Sequence, residues 1–124
     1  MLLPENTKQI SKILEYCNYN KIAVVPQGGN TGLVGGSVPV YDEIVLSMKN
    51  LNQIISFDQV SSVLEAEAGV VLQRANDFLN DFGHEMPLDL GSKGSCQIGG
   101  NAATNAGGIH MVKHGSFRSH ILGM

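Results

Sequence analysis

The 124-residue sequence has no tryptophan, two cysteines, four prolines and only 15% charged residues. Each shortage closes off a class. Cys17 and Cys96 form neither a Cys-x-x-Cys pair nor a metal framework, so a disulfide scaffold or zinc ribbon is not indicated and free thiols are expected. No apolar run reaches the ~18 residues of a membrane helix. A formal net charge of -3 gives no basic surface for tracking nucleic-acid phosphates. The first residues carry neither a basic n-region before an apolar stretch nor an Arg-rich presequence, so the protein stays where it is made or its start lies upstream. At 43% hydrophobic the chain is too apolar for disorder, and its length allows one domain with a real core.

Glycine is what the sequence has in excess, with 15 in 124 residues. Five fall between Gly28 and Gly36 and six between Gly91 and Gly108. Both clusters lie between apolar, periodic segments, which is the pattern of ligand loops on an ordered scaffold.

The segments around them set the scaffold. In residues 6–19, Ile10, Ile13, Leu14 and Cys17 recur at helical spacing, and Pro4 and Asn6 supply a start signal. KIAVV, residues 21–25, reads as a buried strand that Pro26 ends. EIVLS (43–47) and QIISFD (53–58) are two further strands. A fourth, residues 63–68, has Leu64, Ala66 and Ala68 on one face and Glu65 and Glu67 on the other, as in a sheet with one wet side. Residues 70–82 carry the clearest helical stripe, Val71, Leu72, Ala75, Phe78, Leu79 and Phe82, closed by Gly83. Residues 98–106 have room for one or two helical turns. Residues 109–124 have no clear period and stop as if in the middle of an element.

Four familiar templates fail. The dinucleotide fingerprint G-x-G-x-x-G has Asn30 where its second glycine belongs, and a strand rather than a helix follows. No G-K-[ST] occurs, since Lys93 precedes Gly94. G-x-S-x-G is absent, and His84-Glu85 runs into Met86-Pro87 instead of H-E-x-x-H. An anion cradle remains. Gly28-Gly29 and Gly35-Gly36 permit positive φ and close approach, and successive N–H groups form an anion nest. Residues 26–39 contain no Lys or Arg, so backbone dipoles and side chains such as Asn30, Thr31 and Ser37 would hold the ligand. A mobile turn without a ligand is the plain alternative. In the second cluster, Gly99-Gly100 is expected to open a short helix facing an anion. Ala102, Ala103 and Ala106 leave room for a flat group, and Thr104 and Asn105 offer hydrogen bonds. Tight packing through small residues is the alternative there. Two uncharged small-residue loops suit a long, flat dinucleotide better than a compact phosphate.

At PQGGNTGLVGGSVP (26–39) with DEIVLS, and at MPLDLGSKGSCQIGGNAATNAGG (86–108), the sequence resembles the FAD-binding domain of the D-2-hydroxyglutarate dehydrogenase family. That family belongs to the vanillyl-alcohol-oxidase (PCMH-type) flavoproteins. The resemblance runs from about Pro4 to Gly123. It implies an α/β fold: a single, C-terminally incomplete FAD-binding domain over residues 1–124, with a small α/β subdomain and, from residue 87, the start of a larger one. It implies that Gly28, Gly29, Asn30, Thr31, Gly32 and Leu33 wrap the FAD pyrophosphate, that Pro87 and Asp89 lie near the cofactor, and that Gly99, Gly100, Thr104, Asn105, Gly107 and Gly108 line its pyrophosphate and flavin portions. Covalent relatives often carry a His in the first loop; Asn30 stands near that place, which implies non-covalent FAD.

The family removes the α-hydrogen of a D-2-hydroxy acid as hydride to the flavin and passes electrons to a protein carrier in mitochondria. The resemblance places the metal-binding His motif, substrate arginines and catalytic base outside these residues. The chain is thus expected to supply cofactor binding within such an enzyme and to be inactive alone; with a sheet cut in mid-domain it is expected, by itself, to aggregate or to hold FAD weakly. D-lactate and glycolate dehydrogenases resemble it less, and a non-catalytic truncated product is a further alternative. Where the family more often has Arg-Tyr-Gly-Ser, residues 112–116 read VKHGS.

His110 and His114 are spaced i, i+4 and His120 follows, but with no carboxylate beside them they are read as solvated, and no metal is expected. Cys96 is read as a small buried filler. Lys93 is read as a solvated loop residue, with balancing a cofactor phosphate as the alternative. Glu65 and Glu67 point into solvent on a sheet face.

Overall fold

The computed structural model describes residues 1–124. Helix α1 (Thr7–Tyr19) leads into strand β1 (Val24–Gln27), a long connection, and strand β2 (Ile44–Ser47). Strands β3 (Ile54–Asp58) and β4 (Val63–Ala66) precede α2 (Leu72–Asn80), α3 (Ile98–Thr104), α4 (Met111–His114) and a 3-10 turn, Phe117–His120.

β1 and β2 pair in parallel, with Val24 opposite Ile44 and Gln27 opposite Ser47. Parallel neighbours need a long crossover, usually a helix. Here the glycine-rich segment 28–43 is the crossover and contains no helix. The strand that KIAVV predicted starts later and runs through Pro26, which pairs with Leu46. Only one side of β1 is paired, so the missing proline N–H leaves no ladder bond unmade. On the other side of β2, Leu2 bridges to Leu46, and Val45, Leu46 and Ser47 are buried.

β3 and β4 form a separate antiparallel ribbon with an irregularity between Ile54 and Ser56. Four strands therefore make two pairs. The ribbon's inner face presents Ile54, Phe57, Leu64 and Ala66 to a core of Val70, Leu72, Ala75, Leu79, Met86, Leu88, Cys96 and Phe117. Ala68, expected on that inner face, is exposed. Leu72, Leu88, Val70 and Cys96 are almost wholly out of water, and each such leucine contributes about 1.5–3 kcal/mol. Residues 86–117 supply half of this core, so the second glycine cluster is anchored at both ends to α2.

Both long helices end the same way. His84 N–H reaches Leu79 O and Gly83 N–H reaches Asn80 O, both at 3.0 Å. In α1, Ile22 N–H reaches Cys17 O (2.8 Å) and Lys21 N–H reaches Asn18 O (3.3 Å). This double closure puts one residue in the left-handed region. Gly83 sits there at φ 73° and Lys21 at φ 56°. At the start of α1, Asn6 accepts from Gln9 N–H (3.0 Å), as its position predicted. Asp58 closes the β3–β4 turn, accepting from Ser61 Oγ (2.6 Å) and Val60 N–H (2.9 Å).

Two outcomes are expected. A Cβ at Gly83 meets nothing within 4 Å, so Gly83→Ala costs only its backbone strain, about 1 kcal/mol, whereas Lys21→Gly relieves that strain and raises stability by about 0.5–1 kcal/mol. Urea unfolding should shift in opposite directions for the two variants. The Ser61 hydroxyl, then the Val60 amide, hold the Asp58 carboxyl below its ordinary range. Its contribution is therefore fully present above the usual aspartate value and lost as pH falls through the lowered one. Amide protection in residues 58–62, relative to the intrinsic exchange rate at each pH, should fall only below that ordinary range, and Asp58→Asn should flatten the dependence.

Candidate functional site

The two glycine clusters meet. Residues 68–73 and 93–99 run side by side: Gly99 N–H donates to Ala68 O (2.8 Å), Ile98 to Val70 O (2.9 Å), Leu72 to Cys96 O (3.0 Å) and Gln73 to Lys93 O (2.9 Å). The first loop lies on this seam. A Cβ on Gly29 would overlap the Ser95 carbonyl, and one on Gly28 would sit 3.2 Å from Gln97 Oε1. Within the seam itself, a Cβ on Gly99 would come 2.6 Å from the Ala68 Cβ. Close approach at Gly29 and Gly99 is thus chain against chain.

Elsewhere the glycines face space. Nothing lies within 4 Å of a Cβ on Gly32, Gly35, Gly36 or Gly100. Gly100 is helical and exposed. Alanine there would favour the helix by about 1 kcal/mol, so packing within the chain gives no reason for glycine.

The first loop leaves its donors unspent. From Gly28 to Ser37 no backbone N–H donates within the chain. The loop is shaped from its side chains: Ser37 Oγ donates to Asn30 Oδ1 (2.7 Å) and Gln27 Nε2 to Ser37 O (2.8 Å). Asn30 takes a left-handed φ of 52°, which its short polar side chain tolerates. Thr31 is half-buried, and Gly32 and Leu33 are exposed. Beside the loop, Gln97 is 8% exposed and its Oε1 has no hydrogen-bond partner. A buried orphan acceptor normally signals a missing donor. Gln97 did not stand out in the sequence; its place after Cys96 in a small-residue run gave no signal.

The expected anion-facing helix start is only partly realised. α3 spans seven residues, and the amides of Ile98, Gly99 and Asn101 are already engaged. The Gly100 N–H alone in that turn has no partner within the chain. Thr104 is exposed, its hydroxyl turned back to Gly100 O (3.0 Å). Asn105 works inside the fold: left-handed at φ 51°, it accepts from Ser116 Oγ (2.6 Å) and Arg118 N–H (3.0 Å). Buried Asn101 donates to Cys96 Sγ at 3.5 Å.

Pro87 and Asp89 flank Leu88, whose side chain is in the core. Asp89 pairs with Lys93 Nζ at 2.9 Å, so Lys93 is engaged rather than simply solvated. Its hydrogen bond holds the Asp89 carboxyl below the ordinary range, with attraction from His110 adding to it. The Asp89 carbonyl accepts from Ile109 N–H (3.3 Å) and would be overlapped by a Cβ on Gly108, at φ 83°. Gly107 packs beside Met111. The predicted residues therefore come together as two groups: residues 28–37 with 95–100, and residues 87–89 with 107–109. One expectation is overturned, because a carboxylate does stand beside His110 and His114, that of Glu85.

The chain was compared with known proteins. It is 57% identical over its whole length to a mitochondrial D-2-hydroxyglutarate dehydrogenase of Arabidopsis thaliana, covering 22% of that protein. It is 58% identical over 99% of its length to a putative mitochondrial D-lactate dehydrogenase of Schizosaccharomyces pombe, covering 23% of it. The chain thus spans less than a quarter of the length of these relatives. Among solved structures it superposes on an alkyldihydroxyacetonephosphate synthase with a TM-score of 0.85 at 21% identity, covering 95% of this chain and 24% of that one, a likeness of fold. The model of the FAD binding domain family matches residues 1–124. With its two glycine clusters joined on one seam and its first loop lined by unspent amides, the chain belongs to the FAD binding domain family.

Proposed function

We propose that this chain holds the pyrophosphate of FAD non-covalently, between residues 28–33 and the Gly99-Gly100 turn, as part of a D-2-hydroxyglutarate dehydrogenase. The observation that carries the reading is the run of unspent backbone N–H groups from Gly28 to Ser37 beside the unpartnered Gln97 Oε1. A loop with no cation that leaves its amides free is suited to a diphosphate, which accepts hydrogen bonds at every oxygen. Gln97 Oε1 calls for a donor instead, and the ribityl and ribose hydroxyls of FAD carry donors. The open space at Gly32, Gly35, Gly36 and Gly100 gives the ligand room to lie against backbone. No histidine lies in residues 26–39 to form a covalent link there.

Bound FAD would supply the acceptor for hydride from the hydroxy acid, chemistry that the protein orients but does not itself carry out. The residues here bind and position. Gly28 and Gly29 press the loop onto the seam, and Asn30 and Ser37 fix its curvature. Pro87, Asp89, Gly107 and Gly108 form a second contact for the cofactor's flavin side. The groups that recognise substrate and take its hydroxyl proton, the family's metal site, and the electron-carrier surface belong to other parts of such an enzyme. The names of the Arabidopsis and fission-yeast relatives support a mitochondrial setting. They also mark the second reading, a D-lactate dehydrogenase.

The intact enzyme, desalted after incubation with FAD, should retain a flavin absorption band. Gly100→Ala should raise the unfolding midpoint, because the helix gains about 1 kcal/mol, and at the same time lower flavin retention at least about tenfold. Retention unchanged in that variant would remove Gly100 from the site. In the intact enzyme, D-2-hydroxyglutarate should bleach the flavin faster than D-lactate does; the reverse order would favour the second reading.

A further inference from the structure

We propose that Glu85, His110 and His114 bind one divalent transition-metal ion, of the Zn2+ class, which clamps the segment after α2 to α4. One ligand atom from each of the three lies within 4.8 Å of the other two. The histidines are one turn apart, with His114 N–H donating to His110 O at 2.8 Å. That i, i+4 spacing brings two imidazoles to one side, and their ring centroids are 5.7 Å apart. His110 Nδ1 and His114 Nε2 are both shielded from solvent and both lack a hydrogen-bond partner. Two imidazoles, each with an orphan nitrogen, clustered with a carboxylate offer the kind of donor set that Zn2+ takes in three-ligand sites, with the fourth position left to water.

The surroundings suit an ion. Glu85 and His110 line a cleft of about 240 Å³ with no hydrophobic residue in its wall. Glu85 sits between two fixed neighbours: Met86 is buried with its N–H on Asn76 Oδ1 (2.9 Å), and His84 Nδ1 lies 2.8 Å from Phe82 O. A tetrahedral site with bonds near 2 Å sets its donors about 3.3 Å apart. Side-chain rotation closes the remaining distance, since Glu85 is exposed and the two histidines are half-buried. His120 is set apart from the donor set. Its Nε2 bonds to the backbone carbonyl of His114 at 2.8 Å and is engaged there. Asp89, though it lines the same cleft, is engaged by Lys93.

The test is titration of the full chain, stripped with chelator and free of tag histidines, with Zn2+ by calorimetry and with Co2+ by visible absorption, both without FAD. One Zn2+ per chain is expected, with a Kd of about 1 μM or tighter, and a Co2+ spectrum of low coordination number. His110→Ala and His114→Phe should each weaken binding about 100-fold or more, and Glu85→Gln about 10-fold or more, with unchanged circular dichroism. His120→Ala should bind as the parent does. Absence of saturable binding below about 100 μM would overturn the proposal, as would binding that survives His110→Ala and Glu85→Gln, or an equal loss in His120→Ala. If His114→Phe disturbs folding, His110→Ala and the surface change Glu85→Gln decide the outcome.

Discussion

The structure depends on one seam, where residues 68–73 and 93–99 pair backbone to backbone with almost no side chain between them. Four hydrogen bonds of 2.8–3.0 Å cross it, and Gly99 stands against Ala68 with no room for a Cβ. Gly69 is pressed in the same way on the carbonyls of Met48 and Leu51, so the seam also ties the parallel strand pair to the rest. Buried polar backbone must be paired, and the four bonds satisfy the amides of Leu72, Gln73, Ile98 and Gly99. The core forms around it: Val70, Leu72 and Cys96 come from the seam itself and α2 packs Ala75 and Leu79 on them. A bulkier residue at Gly69 or Gly99 would force the two halves apart and expose both sets of groups.

The seam explains why two glycine clusters distant in sequence end as one surface. A parallel β1–β2 pair requires a long return, and the glycine-rich return is pressed by Gly29 onto Ser95. Once Gly29 is spent on that contact, the following residues are held out from the sheet. None of them can join a ladder, so their amides remain available. The loop is open because its base is tight. Glycine serves two opposite purposes here, excluding a side chain so that backbone can touch backbone at Gly29 and Gly99, and leaving a space vacant at Gly32 and Gly100.

Much of this was legible in the sequence. The stripe of Leu72, Ala75 and Leu79 located α2, Asn6 located the start of α1, and Gly83 its counterpart at the end of α2, because each acts through neighbours within one or two turns. Pairing partners were not legible. Pro26 reads as a strand terminator on local grounds, yet it lies within β1, because the unpaired side of the strand is set by topology. The alternation of Leu64 and Ala66 identified an inner face, but Ala68 left it once the chain turned into the seam. In the candidate site, the glycines and Asn30 were visible as a composition anomaly. Gln97 was not, since an unpartnered amide is a property of packing, and nothing in its sequence neighbourhood sets it apart.

The same limit applies to the histidines. Spacing put His110 and His114 on one turn, but a donor set needs a third group, and Glu85 comes from a segment that sequence leaves unconnected to them. What brings it there is the pairing of Asp89 with Ile109 and the fit of Gly108 under the Asp89 carbonyl. That contact is the only backbone link between the start of α4 and the segment after α2, and at 3.3 Å it is among the longer bonds of the fold. The seam does not extend to it. An ion shared by Glu85, His110 and His114 would close the same gap from the side-chain direction, where the backbone holds with a single long bond.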